Sequence, residues 1–318
     1  MSERGMLSRL AESLYWIGRY VERADDTARI IDSYVHRLAE APREEQTAKI
    51  SNLFTILGVE HSVTDPSTVD DALALLAYDA SNPSAIAGAL LGAYENARRS
   101  RDIISSEMWV AINATRLRLP SVQATSMGLG PSTYLQFVRE RAALFLGLAD
   151  STMSRDDAWR FLMLGRSVER IDMTARLLRS QATGGVGDPG WMAFLRASGA
   201  MEAYMRSAQG LSEVLGIAAF LLLDRFFPRS VLFMVHEADQ WLLELQATSP
   251  YSSAADPIRQ QLVEAATVLE FLQPDEVLGR LQELLDLIES TCISVNDQIT
   301  ARFFNRVLAV RWMTEGGL

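Results

Sequence analysis

The side chains with the most chemistry to offer are carboxylates and guanidinium groups, and they recur at two places with one spacing. Arg19, Glu22, Arg23, Asp25 and Arg29 lie in LYWIGRYVERADDTARII, residues 14–31. Arg166, Glu169, Arg170, Asp172 and Arg176 lie in FLMLGRSVERIDMTARLL, residues 161–178. A carboxylate beside arginine can form ion pairs within or between helices. The same groups can line a groove for an anionic or peptide-like ligand, or take part in acid–base work. Arginine depresses a neighbouring carboxylate's pKa, which makes it a weak base near neutral pH unless burial opposes the shift. Two readings stand: a partly buried network that fixes two helices in register, and a binding or catalytic site. The ten residues are the candidate binding set. No residue is assigned as a catalytic group or a metal ligand.

Other chemistries lack their parts. The histidines His36, His61 and His236 are scattered, and His236-Glu237-Ala238-Asp239 lacks the second histidine of HExxH. No Glu is followed three residues later by His, as a di-iron carboxylate bundle requires. TGGVGDPG, residues 183–190, has neither the Lys-Ser/Thr end of a phosphate loop nor a preceding strand, and reads as a flexible joint. No GxSxG occurs. Lys49 is the sole lysine, an unpromising candidate for Schiff-base chemistry. No cofactor is implied.

The elements that must position these residues are helices. With about 100° per residue, Tyr15, Gly18, Arg19, Glu22, Asp25, Asp26 and Arg29 fall within about 60° of Glu22. Leu10, Leu14, Ile17, Val21, Ala24, Ala28 and Val35 cluster opposite, an apolar stripe that must pack on something. At an offset of 147 the two stretches agree at nine of eighteen positions: Gly, Arg, Val, Glu, Arg, Asp, Thr, Ala, Arg. Pro228 lies 145 beyond Pro83, so an internal duplication of about 140 residues is expected. A solvated face drifts freely; a polar stripe kept in both copies has a task.

The fold expected is all-α: long antiparallel helices in a bundle, made of two halves, residues 1–150 and 151–318, related by a pseudo-twofold and packed as one unit. Helices are expected over residues 7–40, 43–57 and 132–148. Asp65-Pro66 opens a short one. An uninterrupted helix is expected over 84–117 with Asn82 as its N-cap, followed by a loop at 120–131. Ser154 or Asp156 caps the second motif helix. Segments at 191–209, 211–226, from Phe227 onward, 257–271 and 275–311 complete the chain. No run has the alternation of a strand.

Composition narrows the partners. A formal charge of −10 argues against nucleic acid as the main partner. One cysteine, Cys292, excludes an intrachain disulfide framework and suits a reducing cytoplasm. The N-terminal MSERGMLSRLAESLYW has no apolar core of a secretory signal. The longest apolar run, residues 214–223, is too short to span a bilayer and reads as a buried helix.

The two motif stretches resemble the signature of the alpha-E family, a bacterial all-helical domain named for its Glu-Arg motif. The similarity runs from MLSRLAESLYW to the final long helix. The first copy matches without departure; the second carries Leu162-Met163 where the first has the aromatic pair Tyr15-Trp16. The resemblance implies neighbours: such proteins are encoded beside, or fused to, circularly permuted ATP-grasp proteins and transglutaminase-like peptidases. It carries the Glu-Arg residues onto Glu22, Arg23, Glu169 and Arg170. The function expected is a non-catalytic helical partner that binds a ligase or its peptide through the charged stripes. The alternative is an enzyme using Glu22 or Glu169 as acid or base on an amide or acyl-phosphate.

Overall fold

From Ser8 to Glu40 the chain has no proline and a single glycine, and its apolar residues keep helical spacing. In the computed structural model this stretch is one helix of 33 residues, α1 (Ser8–Glu40). The structure describes residues 8–40, 42–59, 68–182, 190–207, 213–247 and 256–304. Among them are thirteen α-helices and no strand. After α1 come α2 (Arg43–Leu57), α3 (Val69–Leu73), α4 (Ile86–Arg99), α5 (Ser106–Leu129) and α6 (Ser132–Thr152). Next are α7 (Asp157–Ala182), α8 (Gly190–Ala197), α9 (Met201–Ser207) and α10 (Glu213–Leu223). The last are α11 (Val231–Ala247), α12 (Pro257–Phe271) and α13 (Val277–Ile299).

Several ends follow from local chemistry. Gly58 stops α2 at φ 63°, a left-handed conformation that glycine adopts without a Cβ penalty. The Asp156 carboxylate accepts the Ala158 N–H at 3.0 Å and starts α7. Thr68 and Asp71 cap each other's backbone at the start of α3; Asp65-Pro66 lies outside the described residues.

Several expectations need correction. The helix expected over 84–117 is interrupted between Arg99 and Ser106, where the Ser105 hydroxyl accepts the Met108 N–H at 3.2 Å and starts α5 afresh. Its first part is preceded by Ala85; the Asn82 side chain instead accepts the Ser84 N–H in a turn at 2.9 Å. The loop expected at 120–131 is helical as far as Leu129, with Pro120 inside α5. Proline there removes one bond to the Arg116 carbonyl, and both residues are exposed to water. The segment expected over 191–209 is broken at Gly199, φ 63°, between α8 and α9. The joint at 183–189, most of the loop at 248–257 and residues 305–311 lie outside the described residues.

At the centre α1 lies beside α7. A Cβ at Gly18 would collide with the Leu162 carbonyl oxygen, and one at Gly165 with the Tyr15 carbonyl oxygen. The two backbones therefore touch where the motifs carry glycine. Further along, Asp26 and Ile30 adjoin Met173, Thr174 and Leu177. The central pair thus runs parallel, where the sequence reading expects antiparallel helices. Amphipathic spacing fixes which face is buried and carries no information about direction. The flanking helices do run antiparallel to their neighbours. Tyr20 packs on Gly92 while Arg23 reaches Pro83, so α4 descends along α1. Arg160 meets Glu244 while Thr174 meets Arg229, so α11 descends along α7.

Two helices cross over. α2 packs on α7, and α8 packs on α1, where the Ser33 hydroxyl donates to the Ala193 carbonyl at 2.9 Å. One apolar cluster, from Ala11 through Tyr134 and Leu162 to Ile299, takes residues from both ends of the chain. No described helix is long and apolar enough to cross a membrane.

Candidate functional site: a reciprocal Glu–Arg clasp

One helical turn beyond the Gly18–Gly165 contact, the motif glutamates cross over. Glu169 on α7 accepts from Arg19 and Arg23 on α1: Arg19 Nε bonds Oε2, Arg23 Nε reaches Oε1 at 2.6 Å and Arg23 Nη2 reaches Oε2 at 3.0 Å. Glu22 on α1 accepts from α7: Arg170 Nε reaches Oε1 at 2.5 Å and Arg166 Nε reaches Oε2 at 3.3 Å. Each glutamate is held by the arginines of the opposite motif. Arg23 also donates to the Pro83 carbonyl at 3.4 Å, and Arg170 to the Pro228 carbonyl at 2.8 Å.

Both carboxylates are shut from solvent, Glu22 at 0% and Glu169 at 1% relative exposure. Burial alone would raise Glu22, but Arg170, Arg229 and Arg166 outweigh it and hold the carboxyl at about 2. Glu169 sits at about 2 by the same contest between burial and Arg19 and Arg23. Burial also pulls Arg170 down to about 10, with Arg229 adding to the fall and Glu22 opposing it. Burial would lower Arg19, yet Glu169 and Tyr15 carry it above its ordinary value.

The next turn repeats an ion pair on each helix. Arg29 Nε donates to Asp25 at 2.9 Å, and Arg176 Nε donates to Asp172 at 3.0 Å. A glycine of the crossing segment makes room for each arginine, Gly199 for Arg29 and Gly58 for Arg176. Burial raises the Asp172 carboxyl, and Arg176 pulls against that rise. All ten residues singled out from the sequence therefore lie in this double layer of pairs.

The surroundings of the two glutamates differ. Arg229, at the turn before α11, lies 3.2 Å from Glu22 and 2.5 Å from Asp25, and also bonds Asp26. Burial pushes Asp26 up to about 7; Arg229 pulls it back, and the Glu22 and Asp25 carboxylates add to the rise. Glu22, Asp25 and Asp26 are close enough to chelate a cation. The Arg229 guanidinium already lies among them as the counter-charge. On the Glu169 side, Asn296 of α13 orders the cluster: its Oδ1 accepts from Arg19 Nη1 and from the Tyr15 hydroxyl, each at 3.0 Å. Trp16 and Tyr20 lie beside Arg19 and Arg23, with guanidinium-to-ring distances of 5.6 Å and 5.7 Å. Trp159, on α7, instead takes the Arg155 guanidinium at 3.6 Å.

Sequence reasoning missed Arg229 and Asn296 as members of the cluster. The signal for Arg229 was Pro228, the counterpart of Pro83; a lone Asn in a long helix gives none. Of the groups set aside, Cys292 is buried and its thiol is pushed up by that burial. His236 is on the surface, 3.2 Å from Glu270.

The Alpha-E profile, described as "a predicted alpha-helical domain with a conserved ER motif", matches residues 6–304. The chain belongs to that family. It is 25% identical over 328 residues to uncharacterized proteins of Mycobacterium bovis and Mycobacterium tuberculosis. Those alignments cover 92% of this chain and 36% of each relative, so the chain spans little more than a third of the length of the curated relatives it matches. No solved structure matches.

Proposed function

We propose that in this Alpha-E protein the paired Glu–Arg motifs are a structural clasp joining two duplicated halves of one helical bundle. We propose further that the chain serves as a non-catalytic helical partner in a peptide-modifying system. The observation that carries the clasp is reciprocal burial: each motif glutamate is enclosed and held by the other motif's arginines. A general acid or base must reach substrate and exchange a proton near the working pH. Carboxylates enclosed in the core and held near 2 do neither.

Several matched contacts support the duplication and a pseudo-twofold running along the central pair. Arg23 on Pro83 matches Arg170 on Pro228. Gly199 beside Arg29 matches Gly58 beside Arg176. At the 147 offset, the Asp32–Arg139 pair at 3.5 Å matches the Arg179–Asp286 pair at 2.8 Å with the charges exchanged. A buried ion network of this kind fixes register and is costly to break from one side.

The proposed partners are a circularly permuted ATP-grasp protein and a transglutaminase-like protein of the bacterial cytoplasm. Family membership supports this. So do the longer relatives, in which the helical unit is joined to a large further stretch of chain. Co-purification with the ATP-grasp protein tests the reading. A complex is expected, and none at micromolar concentration would sink it. Incubation with ATP, amino acids and candidate peptides, followed by mass spectrometry, tests the non-catalytic part. A mass change that requires Glu22 would favour the enzyme instead.

A further inference from the structure

Behind the clasp, between α2, α7 and α13, lies a cavity of about 310 Å³. Its polar wall is Asp172, Arg176 and Arg179 from α7 with Glu289 from α13; its accessible apolar part is Ile293, and the neighbouring Ile56 is itself buried. The volume equals the liquid share of about ten waters and lies at the lower edge of small-ligand sites, about 300–1,000 Å³.

Each charged group here is half used. Arg176 gives Nε to Asp172 Oδ1, and neither of its Nη groups donates elsewhere among the described residues. Arg179 gives Nε to Glu289 Oε1 at 2.6 Å and Nη2 to Asp286 at 2.8 Å, which among the described residues leaves Nη1. Among the described residues, Asp172 and Glu289 each use one oxygen in these pairs and retain the other. The cavity therefore offers guanidinium donors and carboxylate acceptors side by side, next to Ile293.

The clasp does not explain this arrangement. At the 147 offset, Asp25 and Arg29 repeat Asp172 and Arg176, but Asp32 stands for Arg179 and Ala142 for Glu289. On that side α8 lies on α1, and Ser33 donates to a backbone carbonyl. With an acid in place of Arg179 and alanine in place of Glu289, the other side does not repeat this wall.

We propose that this cavity binds a free α-amino acid with an apolar side chain. Its carboxylate would lie on the Arg176 and Arg179 guanidinium groups, its ammonium on Asp172 and Glu289, and its side chain on Ile293. The site stands independently of the partner reading, because it needs only the chain itself. Calorimetric titration of the full chain with leucine, leucinamide and N-acetylleucine tests it. Leucinamide lacks the carboxylate and N-acetylleucine the ammonium, so both should bind at least about tenfold more weakly than leucine. Ile293 is 65% exposed, so Ile293→Trp can fold normally while its ring fills the mouth. That variant and Arg179→Gln should each lose about tenfold or more in affinity, with melting temperature as the folding control. Leucine failing to bind at about 1 mM would overturn the site. So would equal binding of all three ligands, or leucine binding unchanged in Ile293→Trp.

Discussion

Glu22 and Glu169 are the same residue in the same motif, and the molecule keeps them in different company. Glu169 is held by two arginines, one steadied by Tyr15 and Asn296. Glu22 is held by three, and the third, Arg229, also serves Asp25 and Asp26. Where Asp26 stands in the α1 motif, the α7 motif has Met173; the residue 145 before Arg229 is Ser84. What the sites share is the crossed pairing; what they do not share is the outer charge. The comparison teaches that the clasp needs one glutamate and two opposing arginines on each side. The Asp26–Arg229 pair is an addition to one side.

The largest expected effect comes from removing either glutamate. Glu22→Gln should cost about 3–5 kcal/mol in urea unfolding, because buried guanidinium groups lose their counter-charge. Glu169→Gln should cost a similar amount, since each change strands two opposing arginines while Arg229 keeps Asp25 and Asp26. Equal and negligible losses would break the comparison. Acid should act on the same groups. A carboxyl lowered in the folded state stabilises above its unfolded value, here 4.5, and that stability fades as pH falls through about 2. At about 1.36 kcal/mol per pKa unit, each glutamate loses roughly 3 kcal/mol over that range. The two variants should show a correspondingly flatter acid limb.

Smaller effects test the backbone contact and the outer charge. Gly18→Ala and Gly165→Ala should each cost about 1–3 kcal/mol by forcing the central helices apart. Near-zero cost would mean the close approach is easily relaxed. The smallest change should come from copying one side onto the other. Asp26→Met with Arg229→Ser, made together, should lie within about 1 kcal/mol of the parent, because Asp25 keeps Arg29, whereas Arg229→Ser alone strands Asp26. The double variant should also lose a pH signature. A carboxyl raised to about 7 gives stability present at low pH and lost as pH rises from 3.8 through 7. Denaturation across that window should be flatter without Asp26.

The pairing was legible in the sequence because polar residues recurred at one offset while their neighbours drifted. The helix boundaries at Gly58 and Asp156 were legible because glycine and aspartate act there through their own conformation and hydrogen bonding. The break between Arg99 and Ser106 was not, since serine caps a helix without forbidding its continuation. Pro120 misled in the opposite sense: on an exposed helix face it removes one hydrogen bond and the turn persists. Parallel packing was hidden because an amphipathic stripe reads the same in either direction.

The crossing of α2 onto α7 and α8 onto α1 has a consequence for cooperativity. Neither portion can loosen without uncovering the principal helix of the other, so heat should melt the chain in a single calorimetric transition. Backbone amides on α1 and α7 should then exchange with solvent together, at the rate set by global opening.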